Sequence, residues 1–209
     1  SNGGLIVAII SNAVTMADAG TFSSSLGSMI HIKTLTSGGS DANLTFADGA
    51  SSVVLDSTYP IYRFDFTSMH PQTNAAEFGV NFRDGSTAYD ATKTTTFFQC
   101  NHGTGSQGFG YDGGFDLTQG TGLATLCLNV GADADECCSG QMYLYSPSST
   151  TFSKHFQSRM SAQREDGVSV ACFCGGYSNH TAAVTGVQFS FSSGEIQGGS
   201  ISLYGIKDS

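Results

Sequence analysis

Six cysteines and five histidines are the residues of this 209-residue chain whose types and spacing could do chemistry. Cys100 and His102 stand two apart, as do Cys172 and Cys174. On a strand each such pair faces one side. Two pairs brought together would make a Cys3His zinc site, with Cys137 and Cys138 as further thiols. The spacing argues against it, because structural zinc is usually held by cysteines separated by roughly two to four residues. The expectation is no metal, no cofactor and reduced thiols that pack as small hydrophobes.

Oxygen ligands are no better organised. Asp133, Asp135 and Glu136 form one acidic run, and Asp112 and Asp116 bracket Gly113-Gly114-Phe115. Both runs lack the sixth-position glycine and distal glutamate of an EF-hand loop, so solvated turns are expected. His31, His70, His102, His155 and His180 are scattered and adjoin no acid. His70, before Pro71, suits a structural hydrogen bond at a strand end. The chain contains no G-x-S-x-G, H-E-x-x-H or P-loop pattern. Gly103-Thr104-Gly105-Ser106-Gln107-Gly108 matches G-x-G-x-x-G by letter, but no helix follows for it to open. No catalytic residue is expected, and the chain does not read as an enzyme.

Aromatic residues remain. Asn101 to Phe115 is rich in glycine and is expected to be a long exposed loop, the kind that often carries function. Phe109, Tyr111 and Phe115 within it are the candidates for a subunit contact or for stacking on a sugar. Fifteen Phe and eight Tyr without a single Trp make an unusual set for a sugar-binding module. Phe64/Phe66 and Phe189/Phe191 alternate along strands and are assigned to the core.

Positioning these residues falls to strands. Only 12% of the chain is charged, while Gly, Ser and Thr abound and Pro is scarce, which suits short strands with polar outer faces. Strands are predicted at 28–35, 42–46, 59–68, 77–83, 94–100, 122–130, 139–145, 153–160, 167–174, 183–192 and 199–206. Turn chemistry such as Asp48-Gly49, Asp84-Gly85 and Gly175-Gly176 separates them. The resulting fold class is all-β, an antiparallel β-sandwich of jelly-roll-like kind over residues 27–209.

Residues 1–26 read as an extended N-terminal arm. Its apolar hexamer contains Leu5, Ile6, Val7, Ile9 and Ile10, followed by a small, polar spacer. Periodicity does not separate strand from buried helix there. Such a segment suits assembly with a partner surface; packing on its own domain is the alternative. It is too short for a membrane span and has no preceding basic region for an export signal, so cytoplasmic synthesis and no membrane insertion are expected. A net charge of −9 argues against nucleic acid as a partner.

The C-terminal run Ser193-Gly194-Glu195-Ile196-Gln197-Gly198-Gly199-Ser200-Ile201-Ser202-Leu203-Tyr204-Gly205-Ile206-Lys207 resembles the ending of a virion structural protein family of tailed, notably marine, bacteriophages. The run Tyr59 to Pro71, with its Met69-His70-Pro71 corner, is similar to a second family segment. Further segments are Thr94 to Phe98, Asp116 to Gly122 and Gly140 to Phe156. The resemblance covers roughly residues 27–209. It implies a structural component of a virion, assembled in the host bacterial cytoplasm. The leading expectation is a capsid decoration (cement) protein: a surface homo-oligomer, expected as a trimer, joined by its arm to the major capsid protein or to tail proteins. The alternative is a tail-fibre or receptor-binding tip that contacts a host cell-surface glycan.

Overall fold

The computed structural model describes residues 28–207, together with the backbone of residues 8–11, 14–18 and 21–22. The three short backbone stretches are strands β1 (Ala8–Ser11), β2 (Val14–Asp18) and β3 (Thr21–Phe22), which pair antiparallel as a small separate sheet. Within the spacer, the described stretches Val14–Asp18 and Thr21–Phe22 pair with each other. Ile9 and Ile10 lie on β1, while Leu5, Ile6 and Val7 fall outside the described residues.

All eleven predicted strands are present. They are β4 (Met29–Thr36), β5 (Leu44–Ala47), β6 (Ile61–Pro71), β7 (Ala76–Asp84), β8 (Lys93–Gly103), β10 (Ala124–Val130), β11 (Cys138–Tyr145), β12 (Lys154–Gln163), β13 (Ser169–Ser178), β14 (Val184–Phe191) and β15 (Ile196–Ile206). A twelfth, β9 (Ser106–Tyr111), occupies the expected loop. Asn101 to Phe115 is instead a hairpin, with β8 and β9 paired from Phe98↔Tyr111 to Gly103↔Ser106, then a single 3-10 turn at Gly113–Phe115. Gly105, at φ +77, makes the tight turn.

Two antiparallel sheets face each other. One runs β4-β15-β6-β11-β12-β13-β8-β9 and the other β10-β7-β14-β5. Set aside the hairpins β8-β9 and β12-β13, and number the remaining eight strands in chain order. They then lie 1-8-3-6 in one sheet and 5-4-7-2 in the other. This is the double Greek key of a jelly roll. The two hairpins are insertions that lengthen one sheet on the far side of β11.

Between the sheets the alternating phenylalanines meet as expected. Phe64 and Phe66 of β6 stand edge-to-face on Phe189 of β14, at 5.2 and 5.0 Å between ring centres, and Phe46 and Phe78 complete the cluster. Each such ring contributes about 1.5–3 kcal/mol by burial and about 0.5–1.5 kcal/mol more from edge-to-face geometry. The Gly198-Gly199 pair does not make a turn. It sits inside β15, where Gly199 alone faces Ser68-Met69 at a bulge of β6, and the turn before it is Ser192 to Glu195.

Candidate functional site

The inserted hairpins give the large sheet a broad outer face, and strand register decides which side chains share it. On β12 alternation is strict: the even positions from Lys154 to Ala162 are buried and His155, Gln157, Arg159, Ser161 and Gln163 are exposed. Register carries this face sideways. Gln141↔Arg159, Arg159↔Phe173, Phe173↔Phe98 and Phe98↔Tyr111 form one row across five strands. Tyr143↔Gln157, Gln157↔Gly175 and Gly175↔Thr96 form the next.

The first row is a ladder of stacked groups. Phe98 and Phe173 are parallel, 4.8 Å apart, and the Arg159 guanidinium lies 5.7 Å from the Phe173 ring centre. Phe109 meets Phe98 edge-on at 6.4 Å. Gly175-Gly176, expected as a turn, instead lie inside β13; in the second row Gly175 has no side chain, and a Cβ there would meet only the Thr96 methyl at 3.9 Å. The gap is an open cleft of about 450 Å³ lined by Tyr143, Gln157, Arg159, Phe173, Phe98 and Thr96. A second depression of about 250 Å³ shares Thr96 and Gly175 with it and is walled by His155 and Tyr177. Together they make a groove over Gly175 with aromatic groups on both sides.

Phe109 and Tyr111 lie on β9, the outermost strand, and are the most conspicuous rings of the sheet at 78% and 69% exposure. The Tyr111 hydroxyl donates to Asp116, whose other oxygen accepts from the Phe97 amide at 2.7 Å. That bond holds the phenol protonated above its usual range. Phe115 parts company with them: it packs on Phe97 at 5.5 Å, against the core. The structure thus brings two of the three aromatic candidates to one edge and turns the third inward.

The remaining candidates resolve into structural roles. Cys100 points to the outer face, whereas Cys172 and Cys174 point into the sandwich, so the two Cys/His pairs do not converge. All six cysteines are free, and among the described residues no group of three or more His, Cys, Asp or Glu side chains is placed to hold a metal ion. Cys127 of β10 reaches across the core to the thiols of Cys138 and Cys172. Hydrogen bonding with Cys138, then burial, pushes the Cys127 thiol well above its usual range. Contact with Cys127 and burial do the same to Cys172, and burial pushes Cys174 up to about 12. None of these is a thiolate near neutrality, so none is a ready nucleophile.

Glu136 is not solvated. It is buried, and its carboxylate accepts from the Asp133 amide at 2.9 Å, closing the turn over Gly131. Asp112 and Asp116 likewise spend their oxygens on Gly114, Gln99, Phe97 and Tyr111. Nδ1 of His70 is 2.6 Å from the Glu136 carbonyl, the structural bond expected before Pro71.

Sequence reasoning missed the groove because its residues come from β8, β11, β12 and β13, and only strand order makes them neighbours. The one available signal was the alternation on β12, which by itself marks Gln157 and Arg159 as outward. Comparison with protein-family models, curated proteins and solved structures finds no match to this chain.

Proposed function

We propose that this chain is a structural subunit of a tailed-bacteriophage virion, a capsid decoration protein that works as a surface homo-oligomer without catalysing a reaction. The observation that carries the reading is the outer edge of β9, which pairs with no strand among the described residues. An unpaired strand edge bearing two exposed aromatic rings favours association, and soluble proteins normally blunt such edges with charge, proline or a covering element. Here Ser106-Gln107-Gly108-Phe109-Gly110-Tyr111 carries neither charge nor proline. A neighbouring copy, expected in a trimer, would bury Phe109 and Tyr111, which are the residue types that anchor such contacts. The jelly roll suits the role, since viral shell proteins use it repeatedly. The C-terminal resemblance and the apolar arm point the same way.

Replacing Phe109 and Tyr111 together by Ala tests this. The expected result is a folded protein whose oligomer dissociates at concentrations where the parent stays assembled, measured by light scattering. Particles carrying the double variant should also lose heat stability. An unchanged oligomer with lost adsorption to the host would transfer the role to a tail-fibre or receptor-binding tip. The groove over Gly175 is the observation in favour of that second reading.

A further inference from the structure

We infer that the groove over Gly175 is a binding site for an acidic glycan, a chain containing a hexuronate whose carboxylate is taken by Arg159. The inference is independent of whether the subunit sits on a head or a tail, and it uses no residue of the β9 edge.

Three features select the ligand class. The first is shape: an elongated, open groove made of two adjoining volumes, about 450 and 250 Å³, suits a chain laid along a surface better than a compact cofactor. Gly175 is what creates it, since any larger residue at that outward position would fill the floor. The second is its walls. Phe173 and Phe98 stand on one side, Tyr177 and His155 on the other, and Tyr143 closes one end. Pyranose rings present C–H faces to aromatic surfaces and hydroxyls to amides, and Gln141, Gln157 and the Thr96 hydroxyl are placed among these rings. Gln157 already donates to the Tyr145 hydroxyl at 2.7 Å, which fixes its amide, while the Gln141 side chain has no hydrogen-bond partner among the described residues.

The third feature is charge. Of the two guanidinium groups near the groove, Arg63 is neutralised by Asp65 at 2.6 Å. Arg159 is exposed and makes no ion pair among the described residues, in a chain of net charge −9. Its guanidinium lies over the Phe173 ring, 5.7 Å from the centre, and makes no hydrogen bond among the described residues, which leaves its N–H donors free. A planar carboxylate can accept two of them in parallel. No carboxylate side chain lines either part of the groove, so nothing there repels such a ligand.

The test is calorimetric titration, at low ionic strength, of the intact protein with a tetrasaccharide of hexuronic acid, a neutral tetrasaccharide of the same linkage and a sulfated one. The hexuronate is expected to bind, with the neutral chain roughly tenfold or more weaker, the scale of one charge-assisted hydrogen-bond pair. Arg159→Gln should reduce hexuronate affinity to the neutral level, and Gly175→Leu should abolish binding of both. Thermal melting of each variant verifies that it is folded. The Phe109→Ala, Tyr111→Ala double variant should bind as the parent does, which separates this site from the subunit contact. Absence of hexuronate binding, equal affinity for the neutral chain, preference for the sulfated chain, or binding that survives Gly175→Leu would each overturn the inference.

Discussion

Lys93 of β8 and Lys154 of β12 flank Ser178 of β13 in a single register row, and both turn their side chains into the sandwich. The Lys93 ammonium donates to Asn81 Oδ1 and the Ala91 carbonyl, each at 2.8 Å, and Lys154 donates to the His180 carbonyl at 2.7 Å. Neither forms an ion pair among the described residues, although the Asp84 carboxylate lies close enough to favour both charges. Burial dominates: it lowers the Lys93 ammonium to about 8 and moves Lys154 in the same direction.

Lys93 therefore makes stability depend on pH. Its folded-state affinity for the proton is below the unfolded one, so between about pH 8 and the ordinary lysine value the unfolded chain binds more protons. Its contribution is present above that window and lost as pH falls through about 8. Lys93→Met removes the titration. The stability of the parent relative to this variant should rise from pH 8 to 10.5, by at most roughly 3 kcal/mol. Denaturant titrations of both proteins at pH 7, 8.5 and 10 measure it; a constant difference would show that Lys93 keeps its ordinary affinity.

The buried thiols act in the opposite direction. Cys127, Cys172 and Cys174 are all pushed up in the folded protein, so the unfolded chain ionises first and stability is lost as pH rises from about 9 toward 12. The same burial dictates reactivity. Native protein treated with iodoacetamide at pH 8 should be alkylated at Cys100 and Cys137, the two partly exposed thiols, and at the other four only after denaturation. Peptide mass spectrometry reads the sites; rapid native labelling of Cys127 or Cys172 would contradict the packing.

Strand content was legible because alternation survives at the sequence level: Phe64/Phe66 and Phe189/Phe191 enter the core where their spacing puts them. The Gly-rich hairpin was not, since β9 has almost no apolar alternation and is held mainly by pairing with β8. Lys93 and Lys154 were invisible for a related reason. A lysine on a strand reads as an outward residue, and its burial becomes tolerable only through the oxygens that meet it, Asn81 Oδ1 and the Ala91 carbonyl for Lys93 and the His180 carbonyl for Lys154. The groove required non-local register, which no local pattern encodes.

Gly199 is the glycine on which closure of the sheet depends. Its φ is +103°, and a Cβ would lie 2.5 Å from the Ser68 carbonyl oxygen and 2.8 Å from the Met69 Cα, both backbone atoms with little freedom to retreat. Gly199→Ala should cost at least about 1–3 kcal/mol from backbone strain alone. Gly49→Ala, at φ +75° but with nothing within 4 Å, carries strain without the collision and should cost less. Midpoints of urea unfolding compare the two; equal losses would mean that the bulge at Ser68-Met69 relaxes.

The N-terminal arm supplies the last prediction. The core cluster closes among residues from Leu44 to Leu203, with Ile32 and Leu35 packed against it, so the sandwich has a complete interior of its own within the described residues. Leu5, Ile6, Val7, Ile9 and Ile10 offer several large aliphatic side chains, each contributing roughly 1.5–3 kcal/mol if buried against a neighbour, before ordering costs. Deleting residues 1–12 should leave melting of the sandwich within a few degrees of the parent and abolish its incorporation into particles. Gel analysis of purified particles assembled with the truncated chain reads the second outcome, and incorporation at the parental level would show that the arm is not the anchor. A large fall in melting temperature would instead place the hexamer on its own domain, the alternative role its sequence allows.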